Sequence, residues 1–362
     1  MISFFETYAI YLAPMLAFGI TFFSIPAIIR LSLVKKLYDL PDDRKKHAAR
    51  ISPLGGMAIF GGMIISFVFF TAHLVNPALN SVLVALLILF ITGVKDDLYP
   101  MVPYKKMIGQ VLAVAILIGQ GDIRLVSFYG VLGVDAISYS VSFLITAFFF
   151  LAIINSFNFI DGINGLSSGI GVVVSVVYSL WFAYLGEDLF LILSLCIMGS
   201  QIAFLRYNLF DAKIFMGDSG SMILGFLVAL LSIYFLQASE VNTNFILYKI
   251  DALVFVFAVL IIPLMDTFRV IMIRVFILRR SPFAADRNHI HHALLDIGFS
   301  HARASFTLMI VNLLFVALAF FLNDYLRASV LFISLSLLAL GLSQVPFLIK
   351  KRQKVNGNYR AQ

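Results

Sequence analysis

The feature that most constrains this chain is its repeated runs of about twenty unbroken apolar residues. Segments near 7–29, 54–74, 79–94, 107–120, 138–157, 164–185, 188–205, 216–237, 251–273, 304–322 and 326–349 are each long enough, or nearly so, to cross a hydrocarbon core. The runs are continuous, whereas strands of a membrane barrel would alternate over about ten residues. Composition agrees: 61% of the residues are hydrophobic and 12% are charged, against roughly 25% charged in a soluble domain. One soluble core could not bury so much apolar surface. The expected fold is therefore an all-α integral membrane protein of about 11 transmembrane helices. Residues 1–349 form one polytopic domain and residues 350–362 a short basic tail. The N-terminal run, MISFFETYAIYLAP, has no basic lead and no small-residue cleavage pattern, so it is expected to stay as an anchor.

Charge placement sets the expected orientation. The net charge of +7 lies in short loops between spans, which argues for membrane topology and against nucleic acid. With the N-terminus outside and the spans alternating, the outside loops hold only Arg124, Lys249 and Arg327 of the 26 Lys and Arg residues. The C-terminus is then cytoplasmic. The single Cys196 sits in an apolar run and offers neither a disulfide framework nor a thiolate metal site.

The same alternation puts five polar clusters on the cytoplasmic side. The first, LYDLPDDRKKHAARISPLGG at 37–56, combines Lys45, Lys46 and His47 with Gly55 and Gly56, a composition suited to phosphate. It also suits a plain topology-setting loop. The second is Asp96–Asp97 at the end of a span. Adjacent carboxylates there repel one another and lose solvation, and Mg²⁺ would compensate them. In the third, NSFNFIDGINGLSSG, the side chains of Asn155, Asn158 and Asp161 share one broad helix face before a glycine-loosened break. That suits a uracil or sugar, or else a hydrogen-bond ladder between helices. The fourth, FMGDSGSMILG, sets Asp218 among small residues at a helix start, where backbone N–H groups could face an anion. The fifth, RRSPFAADRNHIHHALLDIGF, carries Arg287, His289, His291 and His292. Its H-x-H-H spacing raises zinc as a candidate ligand, but contact with a diphosphate suits the basic setting better. Carboxylates for a metal, cations for phosphate oxygens and close backbone donors are together what phosphoryl transfer needs. The residues alone thus point to metal-dependent phosphoryl transfer at a membrane surface.

Taken in order, these motifs resemble those of the polyprenyl-phosphate N-acetylhexosamine-1-phosphate transferases over residues 37–300. The SPF, ADR and HIHH elements resemble the branch that uses UDP-N-acetylglucosamine. The peptidoglycan branch, with its different lead-in and triple-His loop, fits less well. The resemblance implies a UDP-sugar donor, undecaprenyl phosphate as acceptor, Mg²⁺ (with Mn²⁺ as a substitute) and a bacterial cytoplasmic membrane. A homodimer stays open as an alternative to a monomer. It implies Asp218 and Asp97 as metal ligands, with Asp96, Asp97 and Asp161 as catalytic residues. Substrate contacts would come from Lys45, Lys46, His47, Asn155, Asn158, Asn164, Arg287, His289, His291 and His292. Two positions depart from the pattern. Pro100 stands where many members have a third carboxylate after the Asp pair, and Asn164 replaces the second Asp of DGxDG. Two readings from other classes compete. A transporter would place its polar groups near the bilayer midplane and show repeat symmetry, while a scaffold would tolerate loss of Asp97 or Asp218.

Overall fold

The computed structural model describes residues 2–38, 51–74, 76–129, 131–134, 136–241, 251–281 and 288–356. Lys45, Lys46, His47 and Arg287 lie outside the described residues. The helices run in the order α1 (Ile2–Lys35), α2 (Gly55–Thr71), α3 (Leu79–Leu98), α4 (Pro103–Gly121), α5 (Tyr139–Ile160), α6 (Leu166–Leu185), α7 (Asp188–Asn208), α8 (Gly217–Val241), α9 (Ala252–Val259), α10 (Ile261–Met272), α11 (Ile290–Asp296), α12 (His301–Leu322) and α13 (Ala328–Val355). Among the described residues the only β contacts are two isolated bridges, Ser52 with Ile214 and Ser127 with Ala136.

Every expected apolar segment is helical, while fewer helices than the eleven expected spans are by length and composition clear candidates to cross a membrane. Among the described residues, eight helices are long and apolar enough to span a membrane, and nine are if the bent pair α9–α10 is one span. This makes the chain a multi-pass membrane protein. α2 has only 17 residues. α4 opens on Pro103, Lys105 and Lys106 and carries Gln110, which dilutes its apolar character.

α8 forms the axis. Almost every residue along it is buried, as expected of a helix that is apolar all round. It packs against α2, α3, α5 and α6. Small residues allow close approaches elsewhere in the bundle too, where α1 meets α2 and α7, as is usual between helices in lipid. A Cβ on Gly62 of α2 would lie 2.0 Å from Thr21 Oγ1 on α1, and one on Gly199 of α7 would lie 2.2 Å from the Pro14 carbonyl oxygen.

The α9–α10 span breaks by 74° at Leu260. Pro263 has no N–H for the carbonyl of Val259 four residues earlier. The fully buried Asn312 of α12 supplies the missing donor, bonding the Val259 and Ala258 carbonyls at 3.1 and 3.3 Å. The bend aims α10 and the π-helical turn that follows it, Ile273–Ile277, at the segment carrying His289.

Candidate active site

The carboxylates Asp96 and Asp97 occupy the last turn of α3, and Pro100 explains why the helix ends there. Tyr99, one residue before the proline, is extended (φ −140°, ψ 99°), and Pro103 then opens α4 at a position where a missing N–H costs nothing. The residue that removes the family's third acid is thus the residue that stops the helix. Acids at a helix C-terminus are unfavourable alone. Here they are compensated from two directions.

Asp97 faces the start of α8. One carboxylate oxygen accepts the Asp218 N–H at 2.6 Å, and the other accepts the Ser219 N–H at 3.1 Å and the Ser219 hydroxyl at 2.5 Å. The anion held by this helix N-terminus is therefore a side chain of the protein itself. The fit depends on glycine. Gly217 adopts φ +70°, and a Cβ there would lie 2.0 Å from the Pro53 carbonyl and 2.6 Å from Asp97 Oδ1. The Pro53–Gly56 lead-in is strapped alongside by Gly55 N–H to Phe215 O at 2.9 Å and Gly56 N–H to Met216 O at 2.8 Å.

Asp96 is buried and accepts the Met101 N–H, while Lys106 from the first turn of α4 forms an ion pair with it. The same Lys106 ammonium lies 3.0 Å from Asp218 Oδ2. The amide of Asn158, on α5, donates to Asp218 Oδ1 and to Ser221 Oγ, the latter at 3.0 Å. Asp161 closes α5 nearby. Burial, reinforced by the charges of Asp218 and Asp97, holds its carboxyl well above the usual carboxylate range.

Asp96 and Asp218 share one ammonium, so their carboxylates stand within reach of a single cation. The donors are all oxygen. That set fits Mg²⁺, which takes one or two carboxylates and completes its shell with water or phosphate.

A second cluster adjoins the α5–α6 turn. A Cβ on Gly162 would lie 2.7 Å from His291 Nε2, so the imidazole sits directly against the Asp161–Gly162 turn. Asp266 of α10 accepts His289 Nδ1 at 2.8 Å and the Ile290 N–H at 2.8 Å. His289 Nε2 is 3.3 Å from Arg274 Nη2, and Arg274 is fully buried with its guanidinium 5.5 Å from the Phe159 ring. Asp266, His289 and His291 converge closely enough to suggest a metal centre. Arg274 argues against one. A guanidinium can only donate, so His289 Nε2 must accept, and its proton must therefore sit on Nδ1, facing Asp266. A metal at Nδ1 would displace that proton and leave two donors facing each other. Asp266 and His289 form a hydrogen-bond chain that orients Arg274, which is the use the structure gives this part of the H-x-H-H run. His291 is buried with no hydrogen-bond partner on either nitrogen. Burial pushes its pKa down to about 3 against the opposing pull of Asp266, so the ring is neutral.

The expected residues thus divide. Asp96, Asp97, Asn158, Asp161 and Asp218 come together, and His289, His291 and His292 form the neighbouring group, with the His291 and His292 rings 4.3 Å apart. Asn155 points elsewhere, binding Gln110 of α4 at 2.9 Å, which is the helix–helix ladder reading. Asn164 is held through its backbone by α12, donating N–H to His301 Nδ1 at 3.3 Å and accepting Ser305 Oγ at 2.7 Å. Lys106, Asp266 and Arg274 were not singled out from sequence. The signal for the last two was present: an acid and two arginines in DTFRVIMIR at the end of an apolar span, a costly placement that usually marks function.

Comparison with known proteins places the chain in a family. The signature of glycosyl transferase family 4 matches residues 79–236, which covers α3 to most of α8. The Bacillus subtilis "Probable undecaprenyl-phosphate N-acetylglucosaminyl 1-phosphate transferase" is 30% identical over 292 residues, 80% of this chain and 78% of that protein. The decaprenyl-phosphate N-acetylglucosaminephosphotransferase of Mycobacterium tuberculosis H37Rv is 31% identical over 309 residues, 78% of this chain and 75% of its own. The undecaprenyl-phosphate alpha-N-acetylglucosaminyl 1-phosphate transferase of Salmonella typhimurium is 29% identical over 276 residues, 74% and 71%. The chain belongs to glycosyl transferase family 4, among the polyprenyl-phosphate N-acetylhexosamine-1-phosphate transferases.

Proposed function

We propose that this protein transfers N-acetylglucosamine-1-phosphate from UDP-N-acetylglucosamine to undecaprenyl phosphate at the cytoplasmic face of a bacterial inner membrane. The product would start a lipid-linked cell-envelope polysaccharide. The observation that carries the reading is the meeting of Asp96, Asp97 and Asp218 from two helices, with Lys106 and Asn158, at one end of a membrane bundle. The relatives' named activities support the same reaction class.

In this reading an oxygen of the lipid phosphate attacks the β-phosphorus of the UDP-sugar. A new phosphoanhydride bond forms to the lipid, the α–β bond breaks, and UMP leaves with the bridging oxygen. Asp218 with Asp96 or Asp97 would hold Mg²⁺, which when bound would supply charge neutralisation between two anionic reactants. Lys106 offsets the charge of the acids. Asp161 and Asn158 orient the donor, and the buried Asp266–His289–Arg274 chain places a positive charge behind the Asp161–Gly162 turn. The neutral, buried His291 packs beneath that turn and adds no charge to it.

The test is UMP release by purified protein in detergent with undecaprenyl phosphate and Mg²⁺. UDP-N-acetylglucosamine, UDP-N-acetylgalactosamine and UDP-MurNAc-pentapeptide are supplied separately. Turnover with the first alone is expected. Turnover with only another donor would keep the chemistry and reject the proposed sugar.

A further inference from the structure

The end of α13 lies outside both polar clusters, yet two of its side chains brace the two ends of the histidine segment, one through Arg269 of α10 and one directly. At the near end, Arg269 Nη1 donates to the Asn288 carbonyl at 2.6 Å, immediately before His289, and its guanidinium lies 3.8 Å from the Phe347 ring centre. At the far end, Lys350 Nζ meets Asp296 Oδ2 at 2.5 Å, with the Asp296 side chain 8% exposed. Phe347 and Lys350 are three residues apart and so face the same way from α13.

The segment between these anchors needs them. α11 is seven residues long, too short to be stable without tertiary support. Its first turn carries His291 against the Asp161–Gly162 turn, where there is no room for even a methyl group. A displacement of about 1 Å there would change what a ligand meets.

We propose that Phe347 and Lys350 are positioning residues. Together they act as a latch that fixes His289 and His291 against the α5–α6 turn and so sets affinity for the nucleotide-sugar donor. The proposal rests on reading the histidine cluster as the donor side of the site.

Steady-state kinetics and hydrogen exchange on the full chain in detergent test it together, using Lys350→Met, Lys350→Arg and the charge exchange Asp296→Lys with Lys350→Asp. For Lys350→Met the KM for UDP-N-acetylglucosamine should rise about tenfold, as for a lost, well-formed charge pair, with kcat and the KM for lipid phosphate within about twofold. Lys350→Arg should restore the donor KM, and the charge exchange should restore it in part. Exchange of backbone amides in residues 288–299 should quicken in Lys350→Met while α5 and α8 stay protected. An unchanged donor KM, or unchanged exchange in 288–299, overturns the latch. If the wild-type chain turned over no UDP-sugar, the donor reading would fall, while the exchange measurement would still decide whether the latch exists. Phe347→Leu provides the same readouts should Lys350→Met not purify.

Discussion

Asp97 on α3 and Ser219 on α8 are joined twice, through the serine N–H and through its hydroxyl, and the Asp218 N–H completes the cap. A carboxylate at the end of one helix dipole thus sits on the start of another, and the acid pair is held where isolated acids would repel. Ser219→Ala removes one of three donors and should cost about 1 kcal/mol of stability. Asp97→Asn weakens all three charge-assisted bonds and should cost about 2–3 kcal/mol, with activity lost as well. Thermal unfolding of the two variants in the same detergent gives the comparison, and equal shifts would contradict the cap.

The glycines around this cap are set by close approach. A Cβ on Gly93 would lie 2.4 Å from Ser219 Cα, and one on Gly56 would lie 2.2 Å from Gly220 N, both against backbone. Alanine at either should destabilise by about 1–3 kcal/mol and lower activity. Gly61, with nothing within 4 Å, is the control, and alanine there should be neutral or stabilising. Parallel melting curves would separate these outcomes.

Lys106 supplies positive charge to Asp96 and Asp218 at once. Lys106→Met should lower turnover at least about tenfold, as loss of a group placed near developing charge does. The exposed acids should then bind Mg²⁺ more tightly, so half-maximal residual activity should need less metal. A Mg²⁺ titration checks this, and an unchanged half-point would reduce Lys106 to a helix prop. Chelation of Mg²⁺ should abolish turnover in both proteins.

His291 gives a prediction of definite sign in pH. Its folded pKa is pushed down to about 3, below the ordinary value of 6.5. Between those values the unfolded chain binds a proton that the folded chain does not, so stability falls as pH falls through that window. Replacing His291 by Asn removes that dependence. The difference in melting temperature between wild type and variant should therefore grow more favourable to the variant from pH 7 toward pH 4. The acid limb of the rate profile should keep its position, since a neutral ring does not titrate there.

Much of this was legible in the sequence, and the misses have physical causes. The acid pair, Asp218 and Asn158 announced themselves because charges and amides beside apolar runs are costly unless used. Asn155 carried the same signal but bonds Gln110 of α4, because one face of α5 serves both the acid cluster and the α4 contact. Lys106 was hidden among basic residues that any loop at a span boundary would carry. Asp266 and Arg274 were hidden by the break at Leu260, which turns an apparent straight span toward the histidines. Sequence periodicity reports which residues share a face; it does not report a 74° bend produced by Pro263 and repaired by Asn312 from another helix.

The central claim is transfer of a phosphosugar, and the fate of the β-phosphate tests it most directly. Purified protein would be given UDP-N-acetylglucosamine labelled with ³²P at the β-phosphate, together with undecaprenyl phosphate and Mg²⁺, and the lipid extracted. The account predicts label in the lipid fraction matched mole for mole by UMP, and neither product with Asp218→Asn. Label remaining in water as UDP, with sugar alone moved to lipid, would contradict it.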